Sequence, residues 1–172
     1  MFKLAAPLQL RIATPADREF FSRLYATTRD ELKSLGLPPA QFAELMQSQQ
    51  RIQEHGMRMT YPNAQEWMIY LQREDYVEIG RLISDFTDND WRIVDIAILP
   101  EYRNQGWGQQ VMRSVMNQAS LTGGTVSLGV MHFNEAAKRL YQHLGFSVIK
   151  QDAIHAQMIW RSAAATTACT AA

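Results

Sequence analysis

Two glycines bracket Trp107 in the run Leu99-Pro100-Glu101-Tyr102-Arg103-Asn104-Gln105-Gly106-Trp107-Gly108. Before the run stands Ile96-Ala97-Ile98, the end of an apolar strand. After it, Met112, Val115, Met116 and Ala119, with Val111 beside them, recur at helical spacing. A strand, a short glycine loop and a helix start make an anion site on physical grounds. The first turn of a helix leaves backbone N–H groups unpartnered, the helix dipole adds partial positive charge, and glycine lets a ligand approach the backbone closely. Gln109 lies in that first turn, and Arg103 is expected to add a fixed positive charge at the rim. The same glycines would also serve a plain turn. A dinucleotide fingerprint needs a third glycine where Val111 stands, and a Walker A loop needs Gly-Lys-Ser/Thr where Gly108-Gln109-Gln110 stands. Elsewhere the chemistry is sparse. Asp95 is the one carboxylate in the strand Trp91–Leu99, and an acid among apolar residues needs either a partner or a task. His55, His132, His143 and His155 are widely spaced and show no metal-ligand pattern, so no metal is expected.

The elements that must hold these residues follow from periodicity and punctuation. Leu8 to Ala13 alternates as a strand, and Thr14-Pro15 opens a helix carrying Phe20, Phe21, Leu24 and Tyr25. Pro38-Pro39 restarts the chain into a second helix with Phe42, Leu45, Met46 and Ile52 on one stripe, expected to end near His55-Gly56. Met57-Arg58-Met59-Thr60-Tyr61 then reads either as a lid or as flexible Met residues that fill irregular core gaps. Glu66–Leu71, Tyr76–Phe86 and Trp91–Leu99 are strands joined by turns at Arg73-Glu74-Asp75 and Thr87-Asp88-Asn89-Asp90. After the helix that ends near Gly123-Gly124 come a strand at Thr125–Val130, a helix at Asn134–Leu144, and strands at Phe146–Lys150 and His155–Trp160. The order β-α-α-β-β-β-α-β-α-β-β specifies an α/β (α+β) fold: a mixed, mostly antiparallel sheet of six or seven strands with at least one parallel crossover, flanked by helices.

Arg103-Asn104-Gln105-Gly106-Trp107-Gly108 resembles the Arg/Gln-x-x-Gly-x-Gly/Ala motif of the GNAT superfamily of N-acetyltransferases. Asn134-Glu135-Ala136-Ala137-Lys138-Arg139-Leu140-Tyr141-Gln142-His143-Leu144-Gly145-Phe146 resembles that family's Asn-x-x-Ala-x-x-Leu-Tyr-x-x-x-Gly-Phe block position by position. The element order is similar from Leu8 to about Trp160, and residues 91–146 carry the diagnostic part. The resemblance implies the GNAT acyl-CoA N-acyltransferase fold, acetyl-CoA as cosubstrate and direct transfer to a primary amine in a ternary complex. It implies that amides of Arg103 to Gln109 hold a pyrophosphate and that the pantetheine arm lies between Trp91–Leu99 and Thr125–Val130. A backbone N–H near Ile98, with Leu99 following, would polarise the acetyl carbonyl. By the same resemblance Tyr141 protonates the departing thiolate, although it also shares a helical stripe with Ala137, Leu140 and Leu144. Asn134 is either a coenzyme ligand or an N-cap. Asp95 is either the base that takes the amine proton or a structural hydrogen-bond acceptor, with Glu78 and Asp85 as weaker candidates. The acceptor side falls to residues 20–61, whose mixed charges do not choose between a small amine and a peptide or protein amine. A catalytically weak coenzyme A-binding regulatory or protein-interaction module of the same fold is the alternative.

Composition closes off other classes. The 172 residues carry 17 Lys+Arg against 17 Asp+Glu, so no global charge draws the chain to nucleic acid or an anionic membrane. No window is apolar enough to span a bilayer, Met1–Leu10 lacks the features of a signal peptide, and the lone Cys169 forms no disulfide within the chain. A cytoplasmic location is therefore expected, with one domain over residues 1–162 and a disordered tail over 163–172. The late strands offer an edge on which a homodimer could form.

Overall fold

The computed structural model describes residues 4–87 and 90–162; the expected tail, Cys169 and part of the Thr87–Asp90 turn lie outside the described residues. Seven strands form one sheet in the order β1-β2-β3-β4-β5-β7-β6. They are β1 (Leu8–Ile12), β2 (Gln65–Gln72), β3 (Tyr76–Thr87), β4 (Asp90–Ile98), β5 (Thr125–Met131), β6 (Ser147–Gln151) and β7 (His155–Arg161). Four helices join them: α1 (Arg18–Ala26), α2 (Pro39–Thr60), α3 (Trp107–Leu121) and α4 (Glu135–His143). The expected order and mixed sheet hold. Every described pairing is antiparallel except β4 with β5, which the crossover through α3 makes parallel.

Apolar spacing decides which face each helix covers. On α3, Val111, Met112, Val115 and Ala119 are fully buried and pack with Ile79, Leu82, Ile93, Val126 and Leu128 on one face of the sheet. On the other face Phe20, Phe21 and Leu24 of α1 pack on Met68. The start of α1 is fixed where the sequence places it. Thr14 precedes a short 3-10 turn at Pro15–Asp17, and Asp17 accepts hydrogen bonds from the Thr14 N–H (2.6 Å) and hydroxyl (3.0 Å). Arg11 clasps the same carboxylate at 2.7 Å through both terminal nitrogens and holds its pKa well below the usual range.

The helix α2 departs from expectation. It continues through Gly56 to Thr60, so Met57–Thr60 is its last turn and not a lid. One interior glycine costs only about 1 kcal/mol, whereas Pro62 biases the residue before it away from helical geometry, and Tyr61 sits at φ −130°. The predicted stripe is also incomplete: Met46 is buried but Ile52 is 65% exposed.

Two bulges shape the middle of the sheet. Ile69 pairs with Gly80 and Tyr70 with Glu78, leaving Ile79 as an extra residue in β3. Ile83 pairs with Asp95 and Ser84 with Ile93, leaving Val94 as an extra residue in β4. Bulges bend a strand and sharpen its twist. Next to them β3 and β4 approach so closely that a Cβ added at Gly80 would stand 2.3 Å from the Ala97 carbonyl oxygen. Gly80→Ala is therefore expected to lower stability by about 1–3 kcal/mol. Urea denaturation followed by circular dichroism checks it, and an unchanged midpoint would mean that β3 and β4 are free to separate there.

Candidate active site

The parallel ladder between β4 and β5 is short. It runs from Asp90–Thr125 to Ile93–Leu128 and stops there. Beyond that point β4 stays paired with β3 to Ile98, and β5 stays paired with β7 to Met131. Two central strands thus part while each keeps its outer neighbour. The Val94 bulge lies at the first residue after the last pair, which accounts for the turn-away. Burial records the opening. Ile93 is 3% exposed, yet Val94, Ile96, Ala97, Ile98 and Leu99 are all only half-buried, although they belong to a central strand and its continuation. The Leu99 N–H donates to the Ile79 carbonyl at 2.9 Å, so strand alternation turns the Ile98 peptide groups the other way, toward β5. The expected cleft between these strands is present, with the Ile98 N–H facing into it.

At the end of β4 the loop folds as a 3-10 turn at Pro100–Tyr102 and then uses positive φ at Asn104 (59°) and Gly106 (83°) to enter α3. The first intrahelical bond is Gln110 N–H to the Gly106 carbonyl. The N–H groups of Trp107, Gly108 and Gln109 precede it, with no capping side chain and no acid in the first turn. A Cβ at either Gly106 or Gly108 would meet nothing within 4 Å. Gly106 is required by its φ. Gly108 is required by neither φ nor packing, which leaves access to the backbone as the reason for it. The loop is braced from behind by Gln105 Nε2 to the Glu101 carbonyl (2.7 Å) and Trp107 Nε1 to Gln105 Oε1 (3.2 Å). Arg103 differs from expectation. Its Nε donates to the Ile98 carbonyl at 2.7 Å and its Nη2 to the Thr27 hydroxyl at 3.0 Å, so it ties the loop to β4 and α1 instead of standing free at the rim.

Tyr141 lies in α4 with its ring 8% exposed and against Phe146 (centroids 5.8 Å apart). Burial, with the Asp95 charge adding to it, pushes the phenol up to about 12. That coupling places Tyr141 in electrostatic reach of Asp95. No hydrogen bond satisfies its hydroxyl among the described residues, and that oxygen is not one of the sealed polar atoms. Asn134 caps α4, its side chain accepting from the Ala137 N–H at 3.2 Å. The N-cap role is therefore filled.

Asp95 has the partner its setting demanded. Arg81 Nη2 donates to Oδ2 at 2.7 Å, and Arg81 Nη1 reaches Glu66 at 3.3 Å. Arg81 is 4% exposed and stacks over Phe21. Glu66 has its pKa raised, by burial first and by Glu54 and Asp95 among its neighbours, against the pull of Arg81. Sequence reasoning missed Arg81 and Glu66. The rule that singled out Asp95, a charge among apolar strand residues, applies equally to Arg81 between Gly80 and Leu82. Of the weaker candidates, Glu78 pairs with Arg11 (3.1 Å). His132 is half-buried and bonds to the Asp152 carbonyl (2.7 Å), bracing a turn. No metal-holding cluster exists among the described residues.

The roof over this face is α2. Gln50, Gln53, Glu54 and Met57 are its half-buried residues toward the C-terminal end. Glu54 takes a hydrogen bond from Gln50 and acts electrostatically on Arg81 and Glu66. Beneath the end of α2 a cavity of about 650 Å³ is lined by Tyr61, Asp85, Asp90, Arg92, Ser127, Lys150 and Gln157.

Comparison with known proteins agrees with this geometry. The sequence model of the Acetyltransferase (GNAT) family matches residues 24–146. No curated protein matches the chain. Among solved structures, the PaiA N-acetyltransferase from Thermoplasma acidophilum in complex with coenzyme A is 14% identical, with a TM-score of 0.62 over 90% of this chain and 98% of that one. Spermidine N-acetyltransferase from Vibrio cholerae, in complex with CoA and spermine, is 15% identical, with a TM-score of 0.62 over 92% and 97%. An acetyltransferase from Thermus thermophilus is 19% identical, with a TM-score of 0.61 over 94% and 99%. At these identities the likeness establishes a shared fold.

The charge cluster makes a prediction of its own. Arg81→Met should cost about 2–3 kcal/mol, below the ~3–5 kcal/mol of a fully sealed pair, because Asp95 and Glu66 are 25% and 40% exposed. Adding Glu66→Gln should recover part of the loss, which a double-mutant cycle in urea measures; strict additivity would show that Arg81 and Glu66 do not interact.

Proposed function

We propose, on the premise that this chain belongs to the acetyltransferase (GNAT) family and is an acyl-CoA N-acetyltransferase, that it moves an acetyl group from acetyl-CoA to a primary amine by direct attack in a ternary complex. The observation that carries the reading is a glycine turn at the start of α3 with open space beside both glycines, set at the end of a strand, β4, that has parted from β5 after Ile93. In this reading the N–H groups of Trp107, Gly108 and Gln109 bind the pyrophosphate. The parted edges of β4 and β5 offer backbone groups to the pantetheine arm, and the Asn134 amide adds a hydrogen bond alongside its capping role. The Ile98 N–H polarises the acetyl carbonyl, and the fixed position of both substrates supplies much of the rate.

The proton steps fall to two side chains. As the amine nitrogen bonds to the carbonyl carbon and the C–S bond breaks, Tyr141 Oη gives its proton to the departing thiolate. A phenol held at about 12 stays protonated at neutral pH and so keeps a proton available for the thiolate. Asp95 accepts the amine proton through water at Oδ1, its other oxygen being held by Arg81. Neighbours named for spermidine support a small amine as the acceptor class. The hold of Arg81 on Asp95 is what favours a second reading, a coenzyme A-binding module without turnover. Thiol release from acetyl-CoA across a panel of amines separates the two, since binding with no release on any amine would select the module.

Two substitutions test the parts. Gly108→Ala should leave stability unchanged or raise it by about 0.5–1 kcal/mol, because alanine suits a helix better and meets no neighbour. The same change should weaken coenzyme A binding by about tenfold or more, as expected when hydrogen bonds to a charged group are lost. Calorimetry reads it, and unaltered affinity removes the pyrophosphate from this turn. Tyr141→Phe should lower kcat by about 100-fold with little change in acetyl-CoA affinity. Steady-state kinetics decide it, and undiminished turnover eliminates the phenol as the proton donor.

A further inference from the structure

Arg92 stands one residue before the point where β4 and β5 part, opposite Ser127. Its guanidinium reaches forward over Gly129, the first β5 residue beyond the ladder. A Cβ added to Gly129 would lie 3.3 Å from Arg92 Nη2 and 3.2 Å from Gln157 Nε2. Two contacts hold it in that pose: Nη2 donates to Gln157 Oε1 at 2.8 Å, and Tyr61 from the end of α2 lies 5.6 Å below the cation. Neither contact is an anion. No carboxylate comes within ion-pair distance of Arg92 among the described residues, and its Nε is sealed without a partner. Every other charged group near it is engaged or remote from that spot. Asp90 accepts from the Thr125 and Ser127 hydroxyls (3.0 and 2.9 Å), Asp85 has a partner of its own, and Lys150 is exposed at the cavity wall. A half-buried guanidinium without an acid is costly, and its planar fork matches a carboxylate. Asp85 and Asp90 keep the cavity near neutral overall, so the selectivity lies in which group stands at the mouth of the cleft, and that group is Arg92.

We propose that Arg92 is the carboxylate-recognition residue of the acceptor site, so that the amine acetylated by this protein carries a carboxylate, as an amino acid does. The inference rests on the acetyl-transfer reading for the identity of the cleft, and adds to it the class of acceptor. An acceptor built only of amines would instead bring its charge against an arginine.

The test uses matched acceptors that differ only in the carboxylate: a panel of α- and ω-amino acids, each beside its amide and its decarboxylated amine, with spermidine included. Thiol release from acetyl-CoA should give kcat/KM at least about tenfold higher for the carboxylates, expressed mainly in KM. Arg92→Gln should collapse that ratio, and Arg92→Lys should retain part of it; a merely structural role for Arg92 would lower all acceptors together and leave the ratio intact. Calorimetry of the CoA-saturated protein with the same pairs keeps the two readings apart. Carboxylate-dependent binding lost in Arg92→Gln, with no thiol release, upholds the anion site and overturns acetyl transfer. Thiol release without carboxylate preference, or with preference for spermidine, overturns the anion site and upholds transfer. Neither binding nor turnover of any carboxylate also overturns it.

Discussion

A parallel ladder only four pairs long, Asp90–Thr125 to Ile93–Leu128, governs this molecule. Hydrogen bonding between neighbouring strands is ordinarily cooperative along their length, and leaving backbone groups unpaired in the middle of a sheet is costly. Here the cost is localised by one extra residue. Val94 shifts the β3–β4 register just where β4 leaves β5, so β4 can follow β3 while β5 follows β7. The result is a sheet that is continuous at one end and open at the other, with polar backbone and half-buried apolar side chains facing the gap. Gly80 belongs to the same device, since the bent β4 brings Ala97 against β3 too closely for any side chain.

An open sheet must then manage the charges along its walls. Arg81 does this for β3 and β4. It is almost wholly buried, yet it takes Asp95 and Glu66 as partners, and Glu54 acts on it from α2. One guanidinium among three carboxylates leaves the site net negative. A net negative cluster attracts a cationic amine, and the orientation of Asp95 comes from the grip of Arg81, which also holds Glu66. Arg103 does comparable work at the far end, joining the Ile98 carbonyl to Thr27 and so fixing the loop against α1.

How much of this could be read from the chain depends on whether a feature is local. The glycine turn at 106–108, the caps at Thr14 and Asn134, and the strand and helix order are set by residues close in sequence, and the structure has them as read. Asp95 was visible because it broke an apolar run. What escaped was set by distant partners. Arg103 carries a charge that sequence alone leaves at the rim, and only the nearness of Thr27 folds it back. Apolar spacing finds the inner face of the first half of α2, where Phe42, Leu45 and Met46 are buried or half-buried, but not of the second, where Gln50, Gln53 and Glu54 lie on the half-buried side and Ile52 on the exposed one. That change has a physical cause: a helix roofing a polar cleft need not present oil to it. Its end falls at Tyr61 and not near Gly56, because a glycine merely weakens a helix whereas Pro62 bars the next turn.

Tyr141 and Asp95 come from opposite sides of the opening, one on α4 beyond β5 and the other on β4, and their charges are felt across it. The sign of that coupling matters. A negative Asp95 resists ionisation of the phenol, so the Tyr141 proton is held more tightly while Asp95 is unprotonated. In the proposed mechanism, an amine proton arriving on Asp95 would remove that charge and ease ionisation of the phenol as the thiolate forms. The two proposed transfers would then assist each other through space, with no hydrogen bond between the groups. A closed ladder would fill the space between β4 and β5 with backbone hydrogen bonds and exclude a substrate from it.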